Sequence, residues 1–266
     1  MNDPILVEHD GAIVTVTLNL PDKRNPISEP AMIDALCAAM SAADADITVR
    51  AVILTGAGTA FSSGGDLKAM IAGTGLRAAL PAQTRRNYRT GIQRLPLLFQ
   101  ALEVPVVAAI NGPAIGAGLD LALLCDVRVA SESARFAESF VKVGIVPGDG
   151  GAWLLPRVVG FARASELALT GETFDAASAL AWGLVTRVVP DDELLAAART
   201  VADRIAVNPP HAVRMTKRLL REAQVATLPN ILEMSAAMQA LAHATTDNDE
   251  AMNAFIERRA PTFSGG

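Results

Sequence analysis

The chain has two cysteines in 266 residues, Cys37 and Cys125, both set in apolar helical sequence and too few for a disulfide framework. They read as buried thiols of a reducing compartment. Positive charge is not in excess either. The 23 Lys and Arg against 28 Asp and Glu give a net charge of −5, which argues against a non-specific nucleic-acid surface. Basic residues cluster only locally, at Arg85, Arg86 and Arg89 and at Arg214, Lys217, Arg218 and Arg221. The opening MNDPILVEHDG has no basic segment followed by an apolar one, so no secretory signal is expected and the cytoplasm is the expected location.

Several catalytic signatures are missing as well. There is no G-x-S-x-G, and the three histidines, His9, His211 and His243, read as surface or packing residues rather than bases for a serine nucleophile. No H-x-x-x-H or C-x-x-C spacing supports a metal site. No phosphate-binding G-x-x-x-x-G-K-[ST] occurs. VILTGAGTAF opens like a dinucleotide fingerprint, but the third glycine position is Phe61 and more loop follows where a helix should begin. A Tyr-x-x-x-Lys pair is also absent, since Tyr88 is the one tyrosine and Ile92 lies four residues on. An NAD(P)-dependent reductase is therefore only a remote alternative.

What the chain does have is a large core and alternating elements. Hydrophobic residues make up 51% and charged residues 19%, the balance of a soluble, enzyme-sized globular protein. Ala12 to Asn19 alternates as a half-buried strand, and Arg50 to Thr55 is apolar throughout, as a strand covered on both faces is. Ser28 is placed to cap a helix through Met32, Ile33, Leu36 and Met40. Residues 68–82 mix helix and loop. Arg85 to Leu102 reads as one helix kinked at Pro96. Short strands are expected at Val127–Ala130 and Leu184–Val189, a glycine-containing loop at 136–156, and a short helix at Ala176–Trp182. From about Asp192 only helical patterns appear, at 194–207, 211–223, 228–243 and 249–259. Strands interleaved with helices, then helices alone, indicate an α/β core with a helical C-terminal appendage.

The stretch VPVVAAINGPAIGAGLDLALLCD, Val104 to Asp126, organises this pattern. Its apolar character suggests a membrane span at first sight. Pro105, Pro113, three glycines and Asp120 instead make it a buried strand, a tight turn and a buried helix. The turn at Gly116, Ala117 and Gly118 leaves unpaired N–H groups at a helix start, a receptor for negative charge. Asp120 sits three residues past Ala117, about one turn away. An anion receptor beside a carboxylate suits proton transfer next to a carbonyl. The plainer reading is a core crossover with a carboxylate that complements the helix dipole.

At FSSGGDL and INGPAIGAGLDLALLCD the chain resembles the crotonase superfamily, the enoyl-CoA hydratases and isomerases. The resemblance runs almost end to end. It takes in PDKRNPIS, VILTGAGTAFSSGGDL, GIVPGDGG, the A-x-x-W-G-L-V segment at Ala179–Val185 and the AFIERRAPTF tail. It implies an α/β fold, a crotonase-like spiral of ββα units, with a C-terminal α-helical region that packs trimers, usually into hexamers. The core would span 1–191 and the helical oligomerisation region 192–266. Coenzyme A thioesters are the implied substrates, with no other cofactor, no metal, no nucleic acid and no membrane.

The resemblance also assigns residues. The backbone N–H groups of Gly65 and Ala117 form an oxyanion hole for the thioester oxygen, Ala117 standing where the family usually has glycine. Asp120 occupies the first glutamate position of the hydratases. The second falls at Phe140, which cannot activate water. Glu138 and Asp149 are the neighbouring acids that stand in for it or serve as a surface charge and a turn former; many relatives carry an aspartate at the position of Gly148. Coenzyme A would lie along Arg24, Ser62, Ser63 and Asp66, with Phe255 and Arg259 near its adenine end, from the same chain or a neighbouring subunit. The implied activity is enoyl-CoA hydratase, with double-bond isomerisation favoured by Phe140. The alternative is an acyl-CoA-binding protein without catalysis.

Overall fold

The computed structural model describes residues 3–266. Among the described residues nine strands form two sheets. β1 (Ile5–Asp10), β2 (Ile13–Leu18), β3 (Ala51–Gly56), β4 (Val106–Ile110), β6 (Val127–Ser131) and β9 (Arg187–Val189) build the larger, in the order β1-β2-β3-β4-β6-β9. β1 and β2 are an antiparallel hairpin, and every later pairing in this sheet is parallel. β5 (Ala114–Ile115), β7 (Arg135–Ala137) and β8 (Thr173–Asp175) form the smaller sheet.

Parallel pairing requires crossovers, which cover both faces of the large sheet. That is why β3 and β4 are buried at every residue. Val52, Leu54, Val106, Ala108 and Ile110 face the main core with α1 (Pro30–Ala45). Ala51, Ile53, Val107 and Ala109 face the other way, onto Leu194, Ala198, Val201 and Ala202 of α9 (Leu194–Ala206). α9 thus packs with the sheet, although it falls in the helical C-terminal stretch. The helices α10 (Pro210–Glu222), α11 (Leu228–His243) and α12 (Thr246–Glu257) extend beyond it, and α11 has no fully buried residue.

Three local expectations are corrected. Arg85–Leu102 is two helices, α3 (Pro81–Thr90) and α4 (Arg94–Ala101), parted at Gly91 rather than kinked at Pro96. Pro96 lies in the first turn of α4, where its missing N–H has no intrahelical acceptor to lose. Ser28 does not cap α1; its hydroxyl accepts the Asp66 N–H at 2.8 Å, and α1 starts with Pro30 at its first position. The 136–156 stretch is not loop alone. It completes β7, makes a 3-10 turn at Ser139–Val143 and starts α6 (Gly151–Val159). The remaining helices are α2 (Leu67–Ala72), α5 (Ala117–Leu124), α7 (Phe161–Thr170) and α8 (Ala176–Ala181). The two cysteines are free, Cys125 buried and Cys37 partly so. Among the described residues no helix is long and apolar enough to cross a membrane.

Buried charge ties α10 to the core. Lys217 Nζ donates to the Val104 carbonyl at 2.5 Å and lies 2.8 Å from Asp126 Oδ2, which also accepts the Val106 N–H. Arg221 reaches Asp126 Oδ1 at 2.9 Å, and Arg214 donates to the carbonyls of Asp44, Asp46 and Val49. Removing one member of such a cluster leaves a buried charge uncompensated. Lys217→Met is expected to cost on the order of 3 kcal/mol, read as a lowered urea midpoint.

Candidate active site

The site forms where the chain leaves the large sheet after β4. Asn111, Gly112 and Pro113 end the strand, two residues pair as β5 in the small sheet, and α5 begins at once. The loop after β3 is brought alongside by Asn25. Its side chain donates to the Ala57 and Ala60 carbonyls and accepts the Leu20 N–H, while its backbone takes a left-handed φ of 54°. Ser62 then joins the two segments. Its N–H donates to the Pro113 carbonyl at 3.1 Å, and its carbonyl accepts the Ile115 N–H at 3.0 Å. Its hydroxyl donates to the Asn25 carbonyl and accepts the Gly64 N–H.

Gly65 and Ala117 therefore stand on facing segments, and both line one pocket. Ala117 is the first residue of α5, so its N–H has no intrahelical acceptor. Neither it nor the Gly65 N–H donates to any described residue. The walls are largely apolar, with Met70, Leu76, Ile92, Ile115 and Phe140 among them; Ser63, Tyr88, Ser139 and Asp149 are the side chains that add polarity. The Phe140 ring lies against Gly116, 3.5 Å from where a Cβ on that residue would stand.

Three carboxyls meet behind this pocket. Asp120 and Glu138 are each 1% exposed and Asp149 5%. A methyl group added to Gly151 would lie 2.2 Å from Glu138 Oε1 and 2.5 and 2.8 Å from the Asp120 oxygens, so both acids crowd one point. The Gly151 N–H, at the start of α6, donates to Asp120 Oδ2 at 3.0 Å. Asp120 Oδ1, Asp149 Oδ1 and both Glu138 oxygens have no donor among the described residues. Burial, then the Glu138 and Asp149 charges, hold the Asp120 carboxyl well above the usual range. Burial and the Asp149 charge push Glu138 up to about 8, and burial takes Asp149 up to about 6. The protons belong to the cluster as a whole.

The structure separates the sequence-derived candidates. Asp149 is on the pocket wall, whereas Asp120 lines an adjoining apolar crevice with Ile27, Leu95 and Leu124, a crevice that Asp149 shares. Glu138 lines neither. Ser62 is fully buried with its hydroxyl committed to backbone. Asp66 caps α2 by accepting the Ala69 N–H at 3.0 Å. Arg24 is exposed, with a left-handed φ of 60°. Phe255 is 86% exposed, Arg259 pairs with Glu250 and Glu257, and neither lines the pocket of its own chain. Sequence reasoning missed Tyr88 and Ile92, whose helical spacing marked them as core. Both do pack in or against the main core, and they line the pocket as well.

The enoyl-CoA hydratase/isomerase family profile matches residues 8–266. The chain belongs to the enoyl-CoA hydratase/isomerase family. It is 36% identical over 266 residues to the 1,2-epoxyphenylacetyl-CoA isomerase of Escherichia coli (strain K12), covering 100% of each chain. It is 38% identical over 262 residues to a protein named probable enoyl-CoA hydratase in Mycobacterium tuberculosis (strain CDC 1551 / Oshkosh), covering 98% of each. The crystal structure of an enoyl-CoA hydratase from Bacillus anthracis superposes with a TM-score of 0.92 at 34% identity, over 99% of this chain and 100% of that one. The two sheets and the four closing helices are thus the crotonase-like spiral of the family.

The carboxyl cluster carries a stability cost of known sign. Its acids have folded-state pKa values raised above their unfolded ones, so the folded form binds protons more tightly. No penalty exists below about pH 4, where both states are protonated. Above that the unfolded state ionises first, and stability falls until pH passes about 6 for Asp149 and about 8 for Glu138. Asp120→Asn is expected to gain on the order of 1 kcal/mol near neutral pH and nothing near pH 4, read from denaturant midpoints at the two pH values.

Proposed function

We propose that the protein is an acyl-CoA enzyme that stabilises a thioester enolate and moves a proton beside it. One observation carries this reading: two unpaired backbone N–H groups and a buried carboxylate border one apolar pocket. The thioester oxygen would accept hydrogen bonds from Gly65 and Ala117. Charge grows on that oxygen as the α-proton leaves, so donors fixed in a dry site favour the transition state over the substrate. Asp149 is the carboxylate that faces the pocket, and Asp120 is its partner from the helix start. Together they take the proton from the α-carbon. Arg24, Ser63 and Asp66 mark the path proposed for coenzyme A, with Ser62 holding that path in shape. Phe255 and Arg259 would reach the adenine end from a neighbouring subunit.

Isomerisation is the chemistry we favour over hydration. Adding water needs a second group that holds and deprotonates it, and Phe140 lines the pocket at the position where hydratases place that glutamate. An apolar ring replaces none of an ordered water's hydrogen bonds. Returning the proton to the γ-carbon needs no water.

Ala117→Pro tests the oxyanion hole, because proline is accepted at the first helical position while a ring carbon replaces its N–H. Turnover should fall about 10²–10³-fold with the circular dichroism unchanged, and so should that of Gly65→Pro. A folded Ala117→Pro protein with normal turnover would sink the assignment. In D2O the wild type should exchange α- and γ-protons of a 3-enoyl-CoA, hydrate crotonyl-CoA poorly, and lose exchange in Asp149→Asn and Asp120→Asn. Binding without exchange across an acyl-CoA panel would instead favour the non-catalytic alternative.

The helical region after residue 191 is proposed to assemble trimers or hexamers. Leu228, Leu232, Leu241, Phe255 and Ile256 are each more than half exposed in the single chain, more apolar surface than a monomer usually leaves open. Sedimentation at micromolar concentration should show no stable monomer.

A further inference from the structure

Glu138 has no part in the reading above, yet it is the most conspicuous of the three acids. It follows β7 and leads into the 3-10 turn at Ser139–Val143. With all three carboxyls ionised, neither of its oxygens has a donor among the described residues, although the side chain is 1% exposed. A buried carboxylate without a donor is costly. The cost is relieved if the group keeps its proton and donates it.

The acceptor is at hand. Glu138 Oε1 and Asp120 Oδ1 are 2.2 and 2.5 Å from the same point beside Gly151, and the other Asp120 oxygen takes the Gly151 N–H. The titratable groups that face the cluster are Asp120 from α5, Asp149 from the turn before α6 and Tyr88 from α3 on the pocket side. No lysine, arginine or histidine acts on the three carboxyls, so no cation compensates them.

We propose that Glu138 is a positioning residue that stays protonated, donates its O–H to Asp120, and leaves one negative charge for Asp120 and Asp149 to share at the pocket. The proposal rests on the reading that Asp149 takes the α-proton. In that step the Cα–H bond breaks, its electron pair forms the enolate, and the proton goes to Asp149, taking the cluster from one charge to none. Delivery to the γ-carbon restores the charge. The Glu138 proton stays in place throughout. Where Glu138 ionises, Asp120 loses its donor and a second charge opposes formation of the enolate anion.

The experiment compares the full-length wild type with Glu138→Gln and Glu138→Leu, following α-proton exchange of a 3-enoyl-CoA in D2O against pH. The wild-type kcat/KM should be bell-shaped, rising through about 6 and falling through about 8. The Gln amide imitates the protonated acid but cannot ionise. It should keep the rate near neutral pH within about threefold and the acid limb, and lose the alkaline limb. Leu offers no donor, and kcat should fall about tenfold with KM unchanged. Profiles that coincide for wild type and Gln, or equal losses in Gln and Leu, overturn the proposal. The infrared carbonyl stretch of a neutral buried carboxyl reads it without turnover: the band should be present in the wild type near neutral pH and weaker in Glu138→Gln. Identical bands in the two proteins sink the Glu138 assignment alone. A wild type that exchanges no α-proton sinks the enzyme reading and this role with it.

Discussion

A carboxyl on a helix with no exposed face is the constraint from which the site follows. All eight residues of α5 are buried, and Asp120 among them cannot reach water. Ionising such a group in isolation costs several kcal/mol, so the fold must give it donors or a shared proton. It gives one backbone donor, Gly151 at the start of α6, and then two more acids rather than a cation. A cation would hold Asp120 ionised and weakly basic. Neighbouring acids hold protons near neutral pH, which is the condition under which a carboxylate accepts a proton from carbon.

The topology explains why that helix starts where it does. β4 lies in the middle of the large sheet and β5 in the small one, so the chain must change sheets within three residues, 111–113. The small sheet has its own partner in β7, which places Glu138 at its far end, one residue beyond the pairing of Ile115 with Ala137. The sheet change thus brings Ala117 and Glu138 just past the same pair of strands, with only Ala117 lining the pocket.

Much of this was legible in the residues, and the failures have physical causes. Strands β2, β3 and β4 announce themselves by alternation or by unbroken apolar runs, because one or both faces are covered. Ala117 and Asp120 were readable because a glycine-rich turn before a buried helix leaves few conformations. The break at Gly91 was not readable, since the apolar spacing of Tyr88, Ile92, Leu95 and Phe99 continues through it. Periodicity reports which residues are covered, not whether one helix or two cover them. The meeting of Glu138 with Asp120 was hidden for another reason. It depends on the pairing of β5 with β7, a contact between segments some twenty residues apart that no local pattern encodes.

The position of Asp149 joins these threads. The family register puts an aspartate of many relatives one residue earlier, at Gly148, but here that position has no room for a side chain: a Cβ would lie 2.7 Å from Cε1 of Tyr88. The carbonyl of Gly148 is in turn held by the Gln93 side chain at 2.7 Å. Tyr88 and Gln93 flank the break at Gly91. Phe140 lines another wall of the pocket that Tyr88 lines, and its ring gives the pocket carboxylate no hydrogen-bonding neighbour there. A poorly hydrated carboxylate is a stronger base, and a wall of rings is a poor holder of water. Under the reading proposed above, the Phe140 ring favours moving a proton between carbons over adding water across them.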